Sequence, residues 1–177
     1  MIVVGENLRQ LALEYEMCPP DGFDGDSLKI RLGERIKRPL RGAQVSFLGT
    51  DRSKCFEDQT LANGALMLEP HDCVLACSME YIRIPPGFIG EIKPTSTTNR
   101  DFFSLTLGAD YVASGWEGAL TLELRNYGPF VLSIPLEAHV GQLYVHRCSD
   151  SSFQGRGSRY SGHSAPMHAI RSSANGQ

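Results

Sequence analysis

Residues 93–126 read KPTSTTNRDFFSLTLGADYVASGWEGALTLELRN, and this stretch combines a polar run with a strand pattern. Four hydroxyl-bearing residues occupy positions 95–98 and are followed by Asn99 and Arg100. The closing ALTLELRN alternates leucines with polar residues, which is typical of a β-strand with one buried face. Hydroxyl groups and an arginine suit an anionic ligand, so the stretch predicts a binding site beside a strand.

Glu123 is the one acidic residue of that closing strand. The alternation places the strand's leucines on one face and Thr121, Glu123 and Arg125 on the other. If the polar face lies in solvent, Glu123 and Arg125 are ordinary solvated charges. If it borders a cleft, Glu123 is placed to act as a general base.

Short alternating segments, separated by glycine and proline, recur through the rest of the chain. They are SLKIRLG (27–33), AQVSFLG (43–49), ALMLEP (65–70), CVLACSME (73–80), YIRIPP (81–86), IGEIKP (89–94), GPFVLSIPLE (128–137) and HVGQLYVHR (139–147). One helical pattern, ENLRQLALEYE (6–16), precedes them, and RIKRPL (35–40) indicates a solvated loop or a phosphate-facing edge. Many short strands predict an all-β sandwich or jelly-roll-like barrel with one short N-terminal helix.

Composition narrows the function classes. The chain has 177 residues, a net charge of −3 and a hydrophobic fraction of 41%, which favour one globular domain and give no reason to expect nucleic acid as a partner. No apolar run approaches the roughly 20 residues that cross a bilayer, and the first ten residues lack a signal-peptide pattern. Five irregularly spaced cysteines indicate a reduced, cytoplasmic protein, with the pair in CVLAC expected in the core.

The composition changes near residue 149, where SDSSFQGRGSRYSGHSAPMHAIRSSANGQ begins. This segment is rich in Ser, Gly and Arg and poor in apolar residues, so it predicts a β domain over 1–152 and a flexible tail over 153–177. Within the tail, residues 153–164 interleave aromatics with Gly and Arg, which fits a flap that closes over phosphates. We expect no metal at a reacting centre, because the His-x-Glu and Pro-Cys-x-x-Cys elements of zinc deaminases and HExxH pairs are absent.

Several motifs together resemble the dCTP deaminases, trimeric relatives of the dUTPases, over roughly residues 27–166. The family's S-x-D-L-R-L-G falls on 27–33, its L-x-P on 68–70 and its A-x-T-x-E on 76–80. Its G-R-S-S-x-x-R falls on 94–100, its A-x-x-x-D-P-G-W-x-G on 109–118 and its L-E on 122–123. Its G-x-x-I-x-Q-L segment lies near 138–143 and its Y-x-x-Q on 160–163. The resemblance implies a dUTPase-like distorted jelly roll that forms a homotrimer with sites between subunits.

The same resemblance implies a hydrolase that deaminates a cytosine deoxynucleotide, most simply dCTP to dUTP and ammonia. In this assignment Glu123 is the general base and acid, Ser96 and Arg100 orient the base and the glutamate, and the Ala109 carbonyl holds the attacking water. Magnesium is expected on the triphosphate, without zinc. The implied substrate-binding residues are Thr95, Thr97, Thr98, Asn99, Ala113, Thr121, Leu122, Phe153, Arg159, Tyr160 and His163.

Departures from the family pattern leave other activities open. Thr95 replaces an arginine that contacts phosphate, and Ala113 replaces an aspartate that contacts the sugar 3′-hydroxyl. The other departures are Lys29 for an aspartate and Phe153, Arg159 and His163 for a tyrosine, a lysine and a glutamine in the tail. The alternatives are a dUTPase-like or bifunctional deaminase and diphosphatase, and a nucleotide-binding homologue without turnover.

Overall fold

Thirteen helices and strands make up the described part of the chain in a computed structural model that describes residues 1–45, 51–61 and 64–170. In chain order they are β1 (Ile2–Val3), α1 (Gly5–Glu14), β2 (Leu28–Pro39), β3 (Phe56–Thr60), β4 (Ala65–Leu68), β5 (Cys73–Arg83), β6 (Phe88–Pro94), α2 (Ser96–Arg100), β7 (Phe103–Ser104), β8 (Tyr111–Val112), β9 (Glu117–Asn126), β10 (Leu132–Pro135) and β11 (His139–Arg147). Two short 3-10 turns lie at Pro20–Gly22 and Arg52–Cys55.

Nine strands form one curled antiparallel sheet in the order β7-β9-β5-β2-β11-β6-β8, with β1 on β11 and β3 on β2. β4 and β10 form a separate two-stranded sheet. The long strand β2 joins the two halves, because residues 28–31 pair with β11 and residues 32–37 pair with β5. The mainly β architecture predicted from the alternating segments is therefore confirmed.

The core follows the alternation read from the sequence. Leu28, Ile30 and Leu32 of β2 are fully buried, as are the leucines of β9 at positions 122 and 124. α1 buries Leu8 and Ala12 against the same core, which confirms the predicted N-terminal helix. All five cysteines are free thiols.

Three local predictions differ from the structure, and a fourth falls only partly within the described residues. The RIKRPL segment is not a loop but the second half of β2, where β3 pairs with it and Lys37 forms an ion pair with Asp58. CVLACSME and YIR, predicted as parts of two separate segments, form one continuous strand, β5, which ends at Arg83 shortly before Pro85. A second helix, α2, occupies the hydroxyl-rich run, which the pattern did not indicate. The strand predicted at 43–49 lies largely outside the described residues, and its described part, 43–45, is not in a strand.

One buried ion pair crosses the join between the sheet halves. Glu80 of β5 is 0% exposed, and its carboxylate accepts hydrogen bonds from the Arg31 backbone N–H at 2.9 Å and from Arg31 Nε at 2.6 Å. A second carboxylate, on Asp21, contacts the outer side of the same guanidinium at 2.9 Å. Removing one partner would leave a charge in a partly desolvated position.

We expect Glu80→Ala to lower the free energy of unfolding by about 3 kcal/mol, since it leaves Arg31 without its buried partner. Urea unfolding of the purified protein measures the loss. Asp58→Ala is the matched control, because it removes an exposed partner of Lys37 and should cost less than about 1 kcal/mol. Equal losses in the two variants would contradict a special role for the buried pair.

Candidate active site

A cleft of about 720 Å³ lies against the half-buried face of β9. Strands β3, β5, β6, β8 and β9 contribute to its walls, together with tail residues between 156 and 169. Five of the site residues predicted from the sequence line it: Ala109, Ala113, Thr121, Glu123 and Tyr160. Glu123 is the one carboxylate among the described residues that line this cleft.

The alternation of β9 explains how Glu123 reaches the cleft. Leu120, Leu122 and Leu124 are buried in the core, which places Thr121 and Glu123 on the opposite face of the strand. Arg125 shares that face but lies beyond the cleft, where its guanidinium sits over the Tyr127 ring at 4.8 Å. Leu122 was predicted to bind substrate, and its side chain is a core residue.

The Glu123 carboxylate is held by the loop that follows β7. Its Oε2 accepts a hydrogen bond from the Leu107 backbone N–H at 2.8 Å, and the Glu123 backbone N–H donates to the Leu105 carbonyl at 2.8 Å. A backbone donor on an ionised carboxylate is a charge-assisted contact that fixes the carboxylate direction. Ala109 follows two residues later in the same loop and also lines the cleft.

α2 lies outside this cleft within one chain. Ser96, Asn99 and Arg100 are exposed, and no residue of α2 is among those lining the Glu123 cleft. Thr95 caps the helix: its hydroxyl accepts the Thr98 backbone N–H at 3.1 Å and lies 2.6 Å from the Thr98 hydroxyl. One chain therefore brings Glu123 and Ala109 together but does not bring Ser96 or Arg100 to them.

Two of the hydroxyl-run residues line a different hollow. Thr97 and Thr98 border a space of about 190 Å³ that is also lined by β10 and by His139. This second space has no described lining residue in common with the Glu123 cleft. The predicted contributions of positions 95–100 to a nucleotide site thus depend on something beyond the single chain.

The tail is docked on the body near Phe153 and again along β9. The Phe153 carbonyl accepts hydrogen bonds from Gly87 N at 2.7 Å and Ser114 Oγ at 2.9 Å. Further along, Gly162 N donates to the Glu117 carbonyl at 2.7 Å, and the His163 carbonyl accepts from Ala119 N at 2.9 Å. The segment between the two docking points passes the cleft and contributes several lining residues.

Predicted tail residues act differently from one another in this docked state. Phe153 and His163 contribute backbone carbonyls to docking, and the Arg159 guanidinium donates to the Ile170 carbonyl at 3.1 Å. Tyr160 lines the cleft, and its hydroxyl accepts from the Ile170 N–H at 3.0 Å. Thr121 Oγ1 accepts the Met167 N–H at 3.0 Å, so this predicted substrate contact is engaged by the tail.

Ala113, which replaces an acidic residue of the family pattern, packs beside the tail. A Cβ built on Gly155 would lie 3.4 Å from the Ala113 Cβ and 2.7 Å from the Ser114 carbonyl oxygen. The small side chain at 113 and the absence of one at 155 let the two backbones approach. The cleft thus has a methyl group and a peptide unit where the family pattern has a carboxylate.

Sequence reasoning missed several lining residues: Arg52, Phe56, Tyr111, Trp116 and Arg156. Arg52 is buried, with 8% of its surface exposed, although nothing in the segment around it distinguishes it from a surface arginine. Arg156 belongs to the quoted GRGSRY run, whose composition carried the available signal. In residues 1–45, 51–61 and 64–170, no group of three or more His, Cys, Asp or Glu side chains is arranged to hold a metal ion. Nor is any helix of these ranges long and apolar enough to cross a membrane.

Comparison with known proteins assigns the family. The model of the dCTP deaminase-like family matches residues 3–148, which is most of the chain. The chain belongs to the dCTP deaminase-like family. This confirms the resemblance read from the motifs.

Individual relatives of this family member are distant. A protein named "dCTP deaminase, dUMP-forming" from Methanobrevibacter smithii is 29% identical over 120 residues, covering 66% of this chain and 60% of the relative. Its namesake from Methanoculleus marisnigri is 22% identical over 144 residues, covering 81% and 77%. The solved 2′-deoxycytidine 5′-triphosphate deaminase from Agrobacterium tumefaciens superposes with a TM-score of 0.64 at 20% identity, covering 82% of this chain and 48% of that one. The likeness to the solved structure shows the fold, and the match spans less than two thirds of the first relative's length.

A substitution at Gly118 tests whether the contacts with β9 hold the tail. Its φ is +142°, and a Cβ there would lie 3.2 Å from the His163 carbonyl oxygen. We expect Gly118→Ala to release the tail, because an alanine strains the backbone and crowds the docking carbonyl. Trypsin should then cut after Arg159 about tenfold faster, equivalent to about 1.4 kcal/mol of lost docking.

Gly157→Ala is the control for this experiment, since a Cβ at Gly157 meets no atom within 4 Å. It should leave the cleavage rate close to that of the parent protein. Equal cleavage of parent, Gly118→Ala and Gly157→Ala would show that the tail is not held by the β9 contacts.

Proposed function

We propose that the protein hydrolyses the exocyclic amino group of dCTP, giving dUTP and ammonia. The observation that carries this proposal is Glu123, a carboxylate directed into a cleft by β9 in a member of the dCTP deaminase-like family. Its carboxylate direction is fixed by the Leu107 N–H. Such a group is placed to move protons between water and a bound base.

The reaction passes two protons, one after the other, through one carboxylate. Glu123 takes a proton from water while the water oxygen bonds to C4 of cytosine. Glu123 then gives that proton to N3. The tetrahedral carbon then carries a hydroxyl and an amino group. Glu123 takes the hydroxyl proton and delivers it to the amino nitrogen, the C4–N bond breaks, and ammonia leaves. The water oxygen and one water hydrogen end in dUTP, and the other water hydrogen ends in ammonia.

Fixed donors and acceptors around C4 lower the barrier, because they need not reorganise as charge develops. The Ala109 carbonyl is proposed to hold the attacking water, since Ala109 and Glu123 line the same cleft. Ser96 and Arg100 are proposed to orient the base and the glutamate. Because α2 lies outside this cleft, these two residues would come from another copy of the chain.

A homotrimer with shared sites would satisfy this requirement. α2 is followed by Phe102, which is 57% exposed, has a φ of 55° and packs edge-on against the exposed Phe130. Exposed aromatics next to α2 favour an interface there, because burial of apolar surface stabilises association. Free thiols fit a reducing compartment, so we propose the cytoplasm as the setting.

The triphosphate is proposed to enter as its magnesium complex, so that magnesium belongs to the substrate. Arg156 and Tyr160 line the cleft from the tail, and Arg159 lies next to Tyr160. Arginines offer paired donors to phosphate oxygens. We propose that the tail, residues 153–177, closes over the nucleotide. Among its described residues, Arg156, Arg159 and Tyr160 would take part.

A second candidate is a bifunctional enzyme that forms dUMP. The names of the relatives from Methanobrevibacter and Methanoculleus favour it. Ala113 counts against it, because the acid of the family pattern is absent at that position. The two candidates differ in whether pyrophosphate accompanies ammonia.

The first test follows ammonia and pyrophosphate separately from dCTP, CTP, dCMP and dUTP with magnesium. We expect ammonia from dCTP without pyrophosphate. Equal amounts of both products would replace this proposal with the dUMP-forming one, and pyrophosphate from dUTP alone would indicate a dUTPase. A folded protein with no turnover of any of the four would indicate a nucleotide-binding homologue.

Glu123→Gln should lower the deamination rate by about 10²- to 10⁴-fold while nucleotide binding persists, because the amide cannot accept the water proton. Steady-state kinetics and equilibrium binding of dCTP measure the two effects. Glu57→Gln, at an exposed position on β3, is the control. Normal turnover in Glu123→Gln would remove Glu123 from this role.

Mixing two inactive variants tests the shared site. Glu123→Gln and Arg100→Ala are each expected to be inactive, yet equal amounts unfolded and refolded together should recover about a quarter of parental activity per site. A quarter arises because a site needs Glu123 from one copy and Arg100 from another. No recovery, with mixed oligomers confirmed by mass spectrometry, would argue that each site is built within one chain.

A further inference from the structure

The loop between β7 and β8, residues 105–110, is fastened at both ends. On the β7 side the Leu105 carbonyl accepts from the Glu123 backbone N–H at 2.8 Å, and the Leu107 N–H donates to Glu123 Oε2 at 2.8 Å. At the other end the Asp110 carbonyl accepts from Ile92 N at 2.8 Å, and Asp110 Oδ2 accepts from Lys93 Nζ at 2.7 Å. Ala109 lies between these two attachments, on the wall of the cleft.

Lys93 is itself held by a second carboxylate. Its Nζ lies 2.7 Å from Glu91 Oε1, and Glu91 Oε2 lies 3.0 Å from His146 Nε2. The Lys93 ammonium lowers the pKa of Asp110 and of Glu91, and these two carboxylates raise the pKa of Lys93. Since Lys93 is on β6 and His146 on β11, the ion-pair network connects the loop to two strands of the main sheet.

The two attachments respond differently to the proposed reaction. When Glu123 takes a proton, its oxygen becomes a weaker acceptor and the Leu107 N–H bond loses its charge assistance. The Lys93–Asp110 pair keeps its charges, because neither group exchanges a proton in the reaction. On the β7 side the side-chain contact of Leu107 therefore weakens within each cycle, while the backbone bond from Glu123 N–H to the Leu105 carbonyl and the Lys93–Asp110 pair keep the loop in place.

We propose that Lys93, acting through Asp110, is a positioning residue that holds the loop carrying Leu107 and Ala109 while Glu123 changes its charge. The proposal rests on the deaminase function proposed above. The Lys93 and Asp110 side chains are 43% and 37% exposed, and a surface ion pair by itself contributes little because solvent and salt screen it. What distinguishes this pair is its place at the end of a loop that lines the cleft.

Three variants and a control separate these cases. Lys93→Met and Asp110→Asn each remove the pair, and the exchanged double variant Lys93→Asp with Asp110→Lys restores an ion pair of opposite direction. Lys37→Met is the control, because Lys37 forms a similar ion pair with Asp58 on the β2–β3 edge. Each variant is compared with the parent for unfolding by urea, so that a misfolded protein is recognised.

The first readout does not depend on activity. Hydrogen–deuterium exchange of the peptide covering 105–110 should be faster in Lys93→Met and Asp110→Asn, unchanged in Lys37→Met, and slowed again in the exchanged double variant. A chain that deaminates nothing would refute the proposed function, and this exchange pattern would still decide whether Lys93 holds the loop. Unchanged exchange in both single variants would overturn the proposal.

The second readout uses deamination kinetics. We expect kcat to fall by about ten- to a hundredfold in the two single variants, because small displacements of positioned groups are costly, with KM changed far less. The exchanged double variant should recover most of kcat. A raised KM with unchanged kcat would assign Lys93 to substrate binding instead, and a double variant no better than the singles would contradict the ion-pair mechanism.

Discussion

The fold depends on one strand, β2, that exchanges its neighbour halfway along its length. Residues 28–31 pair with β11 and residues 32–37 with β5, and the register shifts at the change. Gly33 lies at this point, where a Cβ would be 2.8 Å from Cys77 Sγ and 2.9 Å from the Cys77 carbonyl. The curl that results brings Arg31 to the buried Glu80 and turns the two half-sheets around one core.

The position of the cleft follows from this arrangement, because β9 pairs with β5, the strand next to the second half of β2. Its leucines complete the core, and its polar face is left for the loop after β7 and for the tail. The same alternation that stabilises the sheet thus presents Glu123. Structure and proposed chemistry use opposite faces of one strand, so Glu123, the proposed general base, has a rigid support.

The sequence was most informative where a pattern is repeated locally. Alternation identified β9, the face that carries Glu123, and most of the other strands, while helical spacing identified α1. It failed at RIKRPL, where three charged residues hid the second half of a strand that pairs with its neighbours through the backbone. It also failed at α2, because one helical turn closed by a Thr95 cap is too short to produce a period.

Contacts that depend on distant parts of the chain could not be predicted. Nothing near Arg52 marks it as buried in a cleft, and nothing near Lys93 indicates Asp110 as its partner. The grouping of Ser96, Arg100, Ala109 and Glu123 came from motif order, and one chain brings only the last two together. Motif order does not distinguish residues that meet within a chain from residues that would meet between copies.

The docking of the tail on its own chain has a consequence for how the site responds to dilution. The Phe153 anchor lies only a few residues from Arg156 and Tyr160, so these groups remain at a high effective concentration near the cleft whatever the protein concentration. Groups contributed by another copy would instead be lost as the copies separate. The proposed phosphate contacts of the tail would therefore be independent of protein concentration, whereas the proposed assembly of the reacting centre from two copies would depend on it.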